Sequence, residues 1–193
     1  MTYFHNFTAP IWEIFAGNVL LLFCSLFYLA WWVIVFRPNA SEKSPAGTIC
    51  ITFAFLTGVA AIALMSGGIH ALSNSTKGVP VSSVLLGCAA LFVVLLLVTA
   101  IVFHRPLTSE LIIIHIWTAL ELAAVTVLFN AGRFGMGRAV ALAVLMGIAT
   151  VVGLITYVLY YRLEGAASYR DGMVPLISDA VVMAVFAGVM VFS

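Results

Sequence analysis

The chain has 193 residues, of which 64% are hydrophobic and 8% charged, and its net charge is +1. Globular proteins carry roughly 25% charged residues, so a fold with a water-facing exterior is excluded. The Lys and Arg residues fall singly in the turns, which also excludes a basic face for nucleic acid.

A lipid-facing exterior removes the conflict, because it can be as apolar as the interior. The bilayer is therefore the first partner. A span takes about 20 mostly apolar residues, and six runs of that kind follow one another along the chain. The residues before them, Met1 to Pro10, hold no Lys or Arg. The first run exceeds the roughly 7–15 apolar residues of a signal peptide, so it reads as a retained helix.

That first run is Ile11–Phe36. Glu13, Gly17, Leu20, Cys24 and Trp31 return to one face at helical spacing, and Asn18 adds a second polar group at depth. Arg37-Pro38-Asn39 to Ser44-Pro45 ends it. The second run, Gly47–Leu72, carries the small-residue pair Ala54-x-x-x-Gly58, which permits close helix approach. Ser66-Gly67-Gly68 near its end is a candidate kink, followed by His70. The third run, Pro80–Phe103, closes on His104-Arg105-Pro106.

The fourth run, Ser109–Asn130, holds Glu110, His115, Trp117 and Glu121. Glu121 sits near its middle between Leu120 and Leu122. A charge at the bilayer centre costs at least ~2.5 kcal/mol, so Glu121 must face the bundle interior. Glu110, Ile114, Trp117, Thr118 and Glu121 form a stripe polar enough to line a cavity, while His115 points to another face. After the turn Gly132-Arg133-Phe134-Gly135 comes Arg138–Arg162, with a second small pair, Ala149-x-x-x-Gly153. Glu164 to Asp171 reads as the last connection, and Pro175–Ser193 as the sixth run. Glu13, Glu110 and Asp179 each follow a proline within a turn, where the helix dipole favours an acid.

These features predict an all-α polytopic membrane protein of about six transmembrane helices in a single transmembrane domain, residues 1–193. A shift of 95 places the second and third runs on the fifth and sixth, with 10 identities over positions 48–97, among them Ala54 with Ala149, Gly58 with Gly153, and Pro80 with Pro175. Repeats over 8–103 and 104–193 contain three helices each and must therefore be inverted. Inverted repeats are a transporter construction with the site near mid-membrane. On this reading the second and fifth helices cross near the pseudo-twofold axis.

Arg37, Lys43, Arg105, Arg162 and Arg170 against Lys77, Arg133 and Arg138 favour both termini outside, in a cell or inner membrane. Trp12, Trp31, Trp32, Tyr160 and Tyr161 sit where interfacial aromatics do. Cys24, Cys50 and Cys88 form no CxxC, and neither H-x-x-x-H nor E-x-x-H occurs, so no metal or other cofactor is expected. No nucleophile motif points to an enzyme. An ATP-driven process would need an ATPase partner subunit.

The function expected is a small-molecule transporter, channel or substrate-binding membrane subunit. Its substrate or proton pathway would run through Glu121, His115, Trp117, Glu13, Asn18, Glu110, Asp179 and His70. The rival expectation is a non-catalytic membrane scaffold, anchor subunit, or lipid- or sterol-binding protein.

Overall fold

A computed structural model describes residues 8–37, 44–101, 109–160 and 165–193. Those residues are helical, with no strand: α1 Ala9–Val35, α2 Pro45–Ser75, α3 Val81–Ile101, α4 Ser109–Asn130, α5 Met136–Tyr160 and α6 Gly165–Val191. Pro10 and Pro45 open α1 and α2, where a missing N–H costs nothing. All but α3 are long and apolar enough to cross a bilayer on their described residues, and α3 is 21 residues of uncharged sequence. The chain is a polytopic all-α membrane protein.

α1 is the central helix, and α2 packs along it most closely. The contact is a seam of small side chains. Gly47, Ala54, Ala61 and Gly68 recur every seventh residue of α2 and are all buried. On α1, running antiparallel, Trp31 stands at Gly47, Gly17 at Ala61 and Pro10 at Gly68. A Cβ on Gly68 would lie 2.5 Å from the Pro10 carbonyl oxygen, and one on Gly17 would lie 3.0 Å from that of Ala61. In lipid, where water offers no hydrophobic drive between helices, such close van der Waals contact holds the pair together.

The next face of α1 binds α6 by hydrogen bonds. Asn18 Nδ2 donates to the Met183 carbonyl at 2.9 Å, Ser25 Oγ to that of Leu176 at 2.9 Å, and Trp32 Nε1 to that of Tyr169 at 3.2 Å. The three donors are seven residues apart on α1, and the three acceptors seven apart in the reverse direction on α6. Two antiparallel helices with one seven-residue register produce that ladder.

The remaining helices complete the bundle. α5 packs on α4 and α6, and α4 also touches α2 and α1. The Thr118 and Thr150 hydroxyls meet at 2.8 Å between α4 and α5. α4 ends in a left-handed turn: Gly132 has φ 71°, Arg133 N–H reaches the Leu128 carbonyl and Gly132 N–H that of Phe129, the hydrogen-bond pattern of a Schellman cap. The Asn130 side chain both accepts from Val79 N–H (3.0 Å) and donates to its carbonyl (2.8 Å), fixing the α2–α3 turn to the end of α4.

Several expectations change. α6 begins at Gly165, so residues 165–171, expected as part of a connection, are helix, and Pro175 lies inside α6. Proline removes one hydrogen bond there, but Trp32 anchors the preceding turns: its indole bonds Tyr169, and its ring occupies the space a side chain at Gly172 would need. Asp179 is consequently well inside α6 and not a first-turn acid. Ser66-Gly67-Gly68 does not interrupt α2, which runs on to Ser75, because Gly68 is the close-approach point to α1.

The small face of α2 packs on α1, and α2 forms no extended contact with α5. Gly58 faces Cys24 of α1, and Gly153 faces Ile114 of α4 and Pro175 of α6. Pro80 precedes α3, whereas its counterpart Pro175 is internal to α6. α3 packs mainly on α4, while α6 packs on both α1 and α5.

The two α1 seams carry a stability expectation. Ser25→Ala removes one buried hydrogen bond and should cost about 0.5–1.5 kcal/mol. Gly68→Val should cost more, because the Pro10 backbone cannot retreat without parting α1 from α2. Reversible unfolding in mixed micelles reads both, and a Gly68→Val protein as stable as wild type would contradict the α1–α2 seam.

Candidate functional site

The two seams on α1 lie one residue apart, about 100° around the helix. α2 and α6 therefore diverge from α1 and leave a gap between them, faced by Leu21 and Tyr28. In one half of the molecule the gap is closed: Leu21 has no exposed surface, and the buried residues of α4 concentrate at Glu121–Leu128. In the other half it stays open as a cavity of about 380 Å³, within the range of roughly 300–1,000 Å³ typical of ligand sites.

The wall draws on the second half of α1, the first half of α2, the early part of α4, the end of α5 and the first half of α6. Tyr28 and Trp32 of α1, Trp117 of α4, and Tyr157 and Tyr160 of α5 make it aromatic. The Trp32 and Tyr160 rings meet edge to face at 5.3 Å. Gly58 adds no side chain to it, and Gly172 makes room for the Trp32 ring. The exposed wall residues are Phe55, Val59 and Ile62 of α2 and Ile113 of α4, whereas those of α1, α5 and α6 are buried or half-buried. Among the described residues, the mouth therefore lies between α2 and α4, on the flank that faces lipid.

Two carboxylates reach this apolar space, Asp171 and Asp179 of α6, and no described cation lines it. Eight residues of helix separate them, about 12 Å along α6. Asp179 Oδ2 is enclosed with no hydrogen-bond partner among the described residues. Beyond the Trp117 end of the wall, one turn along α4, lies Glu121, 3% exposed. Neither of its oxygens has a described partner, and the carboxyl is within Coulombic reach of Asp179. Asn18 is fully buried, and its Oδ1 is likewise unpartnered while its amide holds Met183, one turn past Asp179. The enclosed orphan atoms of this region are thus all acceptors. Buried acceptors without donors are costly, so this core calls for protons, water or a donor-bearing ligand.

The residues expected in a pathway divide accordingly. Trp117 and Asp179 line the cavity, and Glu121 and Asn18 adjoin its deep end. His115 lies apart, tying α4 to α3 through the Cys88 carbonyl (2.6 Å) and the Phe92 ring. Glu13 is half-buried beside Gly67. His70 is exposed and bonds Asn74 at 3.1 Å. The Glu110 side chain and His104 lie outside the described residues.

Sequence reading missed Asp171, because the start of α6 was taken for a loop, and assigned Trp32 only to the interface. The seven-residue spacing from Asn18 and Ser25 to Trp32 was the available signal. No group of His, Cys, Asp and Glu among the described residues could hold a metal. Comparison with protein families, curated proteins and solved structures finds no match.

The orphaned carboxyl of Glu121 carries its own expectation. Glu121→Leu replaces two unsatisfied acceptors by hydrocarbon, so thermal stability in detergent should stay level or rise. A loss above about 2 kcal/mol, the scale of a broken buried hydrogen bond to a charged group, would mean that the carboxyl has a partner.

Proposed function

We propose that the protein binds a small, largely apolar molecule drawn from the bilayer and passes it toward mid-membrane, as a transporter or as the substrate-binding subunit of one. The observation that carries this reading is the cavity itself: aromatic, open on the lipid-facing flank between α2 and α4, and ending at Asp179 beside the buried Glu121. An apolar pocket with few convergent polar groups is the usual form of a small-molecule site. Ionisable residues at this depth are associated with substrate or proton pathways. Glu121 is the group assigned to the proton side of such a cycle, and Trp117 and Asp179, which line the cavity, to the ligand side.

A second reading, a lipid- or sterol-binding protein without transport, is favoured by the lateral mouth. The repeat relation between 8–103 and 104–193 belongs with the transport reading. The orientation with both termini outside, in a cell or inner membrane, is part of the same proposal. Single cysteines at Ser41 and Ser75 should label from opposite sides, Ser75 from outside; labelling of both from one side would end it.

Val59→Trp tests the site with little risk to the fold, because Val59 is exposed at the mouth. In proteoliposomes it should cut ligand binding and uptake at least tenfold, about 1.4 kcal/mol, with thermal stability unchanged. Glu121→Gln should abolish uptake while ligand binding persists. If uptake survives Glu121→Gln but binding falls in Val59→Trp, the lipid-binding reading replaces transport. If neither substitution changes anything, the cavity is not the site.

A further inference from the structure

We infer that the cavity selects organic cations: molecules with an aromatic or otherwise apolar body and a protonated amine that seats against Asp179. This inference rests on the reading of the cavity as a ligand site and adds the chemical class of the ligand.

The charge content of the wall points this way. Its carboxyl groups are Asp171 toward one end and Asp179 at the deep end, with no Lys, Arg or His among the described lining residues. A carboxylate-lined pocket with apolar walls focuses a negative field and disfavours an anionic ligand. A neutral apolar ligand would fit the walls but would leave the acceptors at the deep end as they are: among the described residues, Asp179 Oδ2, both Glu121 oxygens and Asn18 Oδ1 all lack donors. An alkylammonium group supplies N–H donors and a positive charge together. No described side chain in the wall bonds Asp179 Oδ2 or brings a cation to it.

The aromatic composition agrees. Trp32, Trp117, Tyr28 and Tyr157 bring their rings to the same cavity. The faces of such rings attract a desolvated cation, tryptophan most strongly. Phe55 and Val59, exposed at the mouth, would receive the apolar body from the lipid side. The two acids would also distinguish entry from seating, since a cation can rest at Asp171 before moving about 12 Å along α6 to Asp179.

The test holds the body constant and changes only the head. The probes are 1-naphthylmethylamine, 1-naphthalenemethanol and 1-naphthoate, titrated calorimetrically at pH 7 into the purified full chain in zwitterionic nanodiscs, with empty nanodiscs subtracted. The amine should bind at least tenfold more tightly than the alcohol, and the naphthoate should fail to compete. In Asp179→Asn the amine should fall to the level of the alcohol, with alcohol affinity kept within twofold of wild type. The head-group series on the wild-type chain stands by itself should that variant not fold. Equal binding of amine and alcohol, or preference for naphthoate, would overturn the cation inference and leave the cavity as a neutral or anionic ligand site. Binding of none of the three would remove both the inference and the ligand-site reading beneath it.

Discussion

The arrangement depends on α1 being held on two adjacent faces by two different kinds of contact. Toward α2 it meets a row of small residues, so the contact is steric and close. Toward α6 it sends Asn18, Ser25 and Trp32 to backbone carbonyls. Helix carbonyls already accept a bond from within the helix, so these bonds use the second lone pair and leave α6 unbroken. Neither contact relies on apolar burial, which would not favour helix over lipid. Both therefore suit a chain whose exterior is as hydrophobic as its core.

The site follows from that geometry. Two partners set about 100° apart on one helix cannot touch each other along their length, and the wedge between them must be filled or left open. α4 fills one half, and the other is the cavity. Its apolar walls and its acids have separate origins. The walls are what any lipid-embedded wedge would have, while Asp171 comes from the part of α6 that Trp32 secures and Asp179 from between the Ser25 and Asn18 anchors.

Much of the architecture was legible in the sequence, because apolar run length sets the spans and turn residues set their ends. Glu121 was recognisable as buried, since no polar neighbour could shelter it elsewhere. What escaped was the start of α6. Proline and charge usually mark a boundary, and Tyr169, Arg170 and Asp171 resemble a loop until Trp32 is seen to hold them. The α2–α5 crossing inferred from matched small residues also failed to appear. Small residues declare that a helix is approached closely but not by which neighbour, and the partner of Gly58 proved to be Cys24. His115 shows the same limit from the other side: polar and mid-run, it is accounted for by the Cys88 carbonyl.

The common seven-residue period of both seams constrains how the length of α1 can change. Inserting or deleting a single residue between Ser25 and Trp32 would rotate everything beyond it by about 100°. Trp32 would turn from Tyr169, and Trp31 from Gly47, in one stroke. A change of seven residues would restore both faces, at the expense of displacing the loops along the membrane normal by about 10 Å. α3, with α4 as its main neighbour, has no such double registration. Length variation in this architecture should accordingly be easier to place in α3 and be all but absent from the stretch of α1 between Asn18 and Trp32.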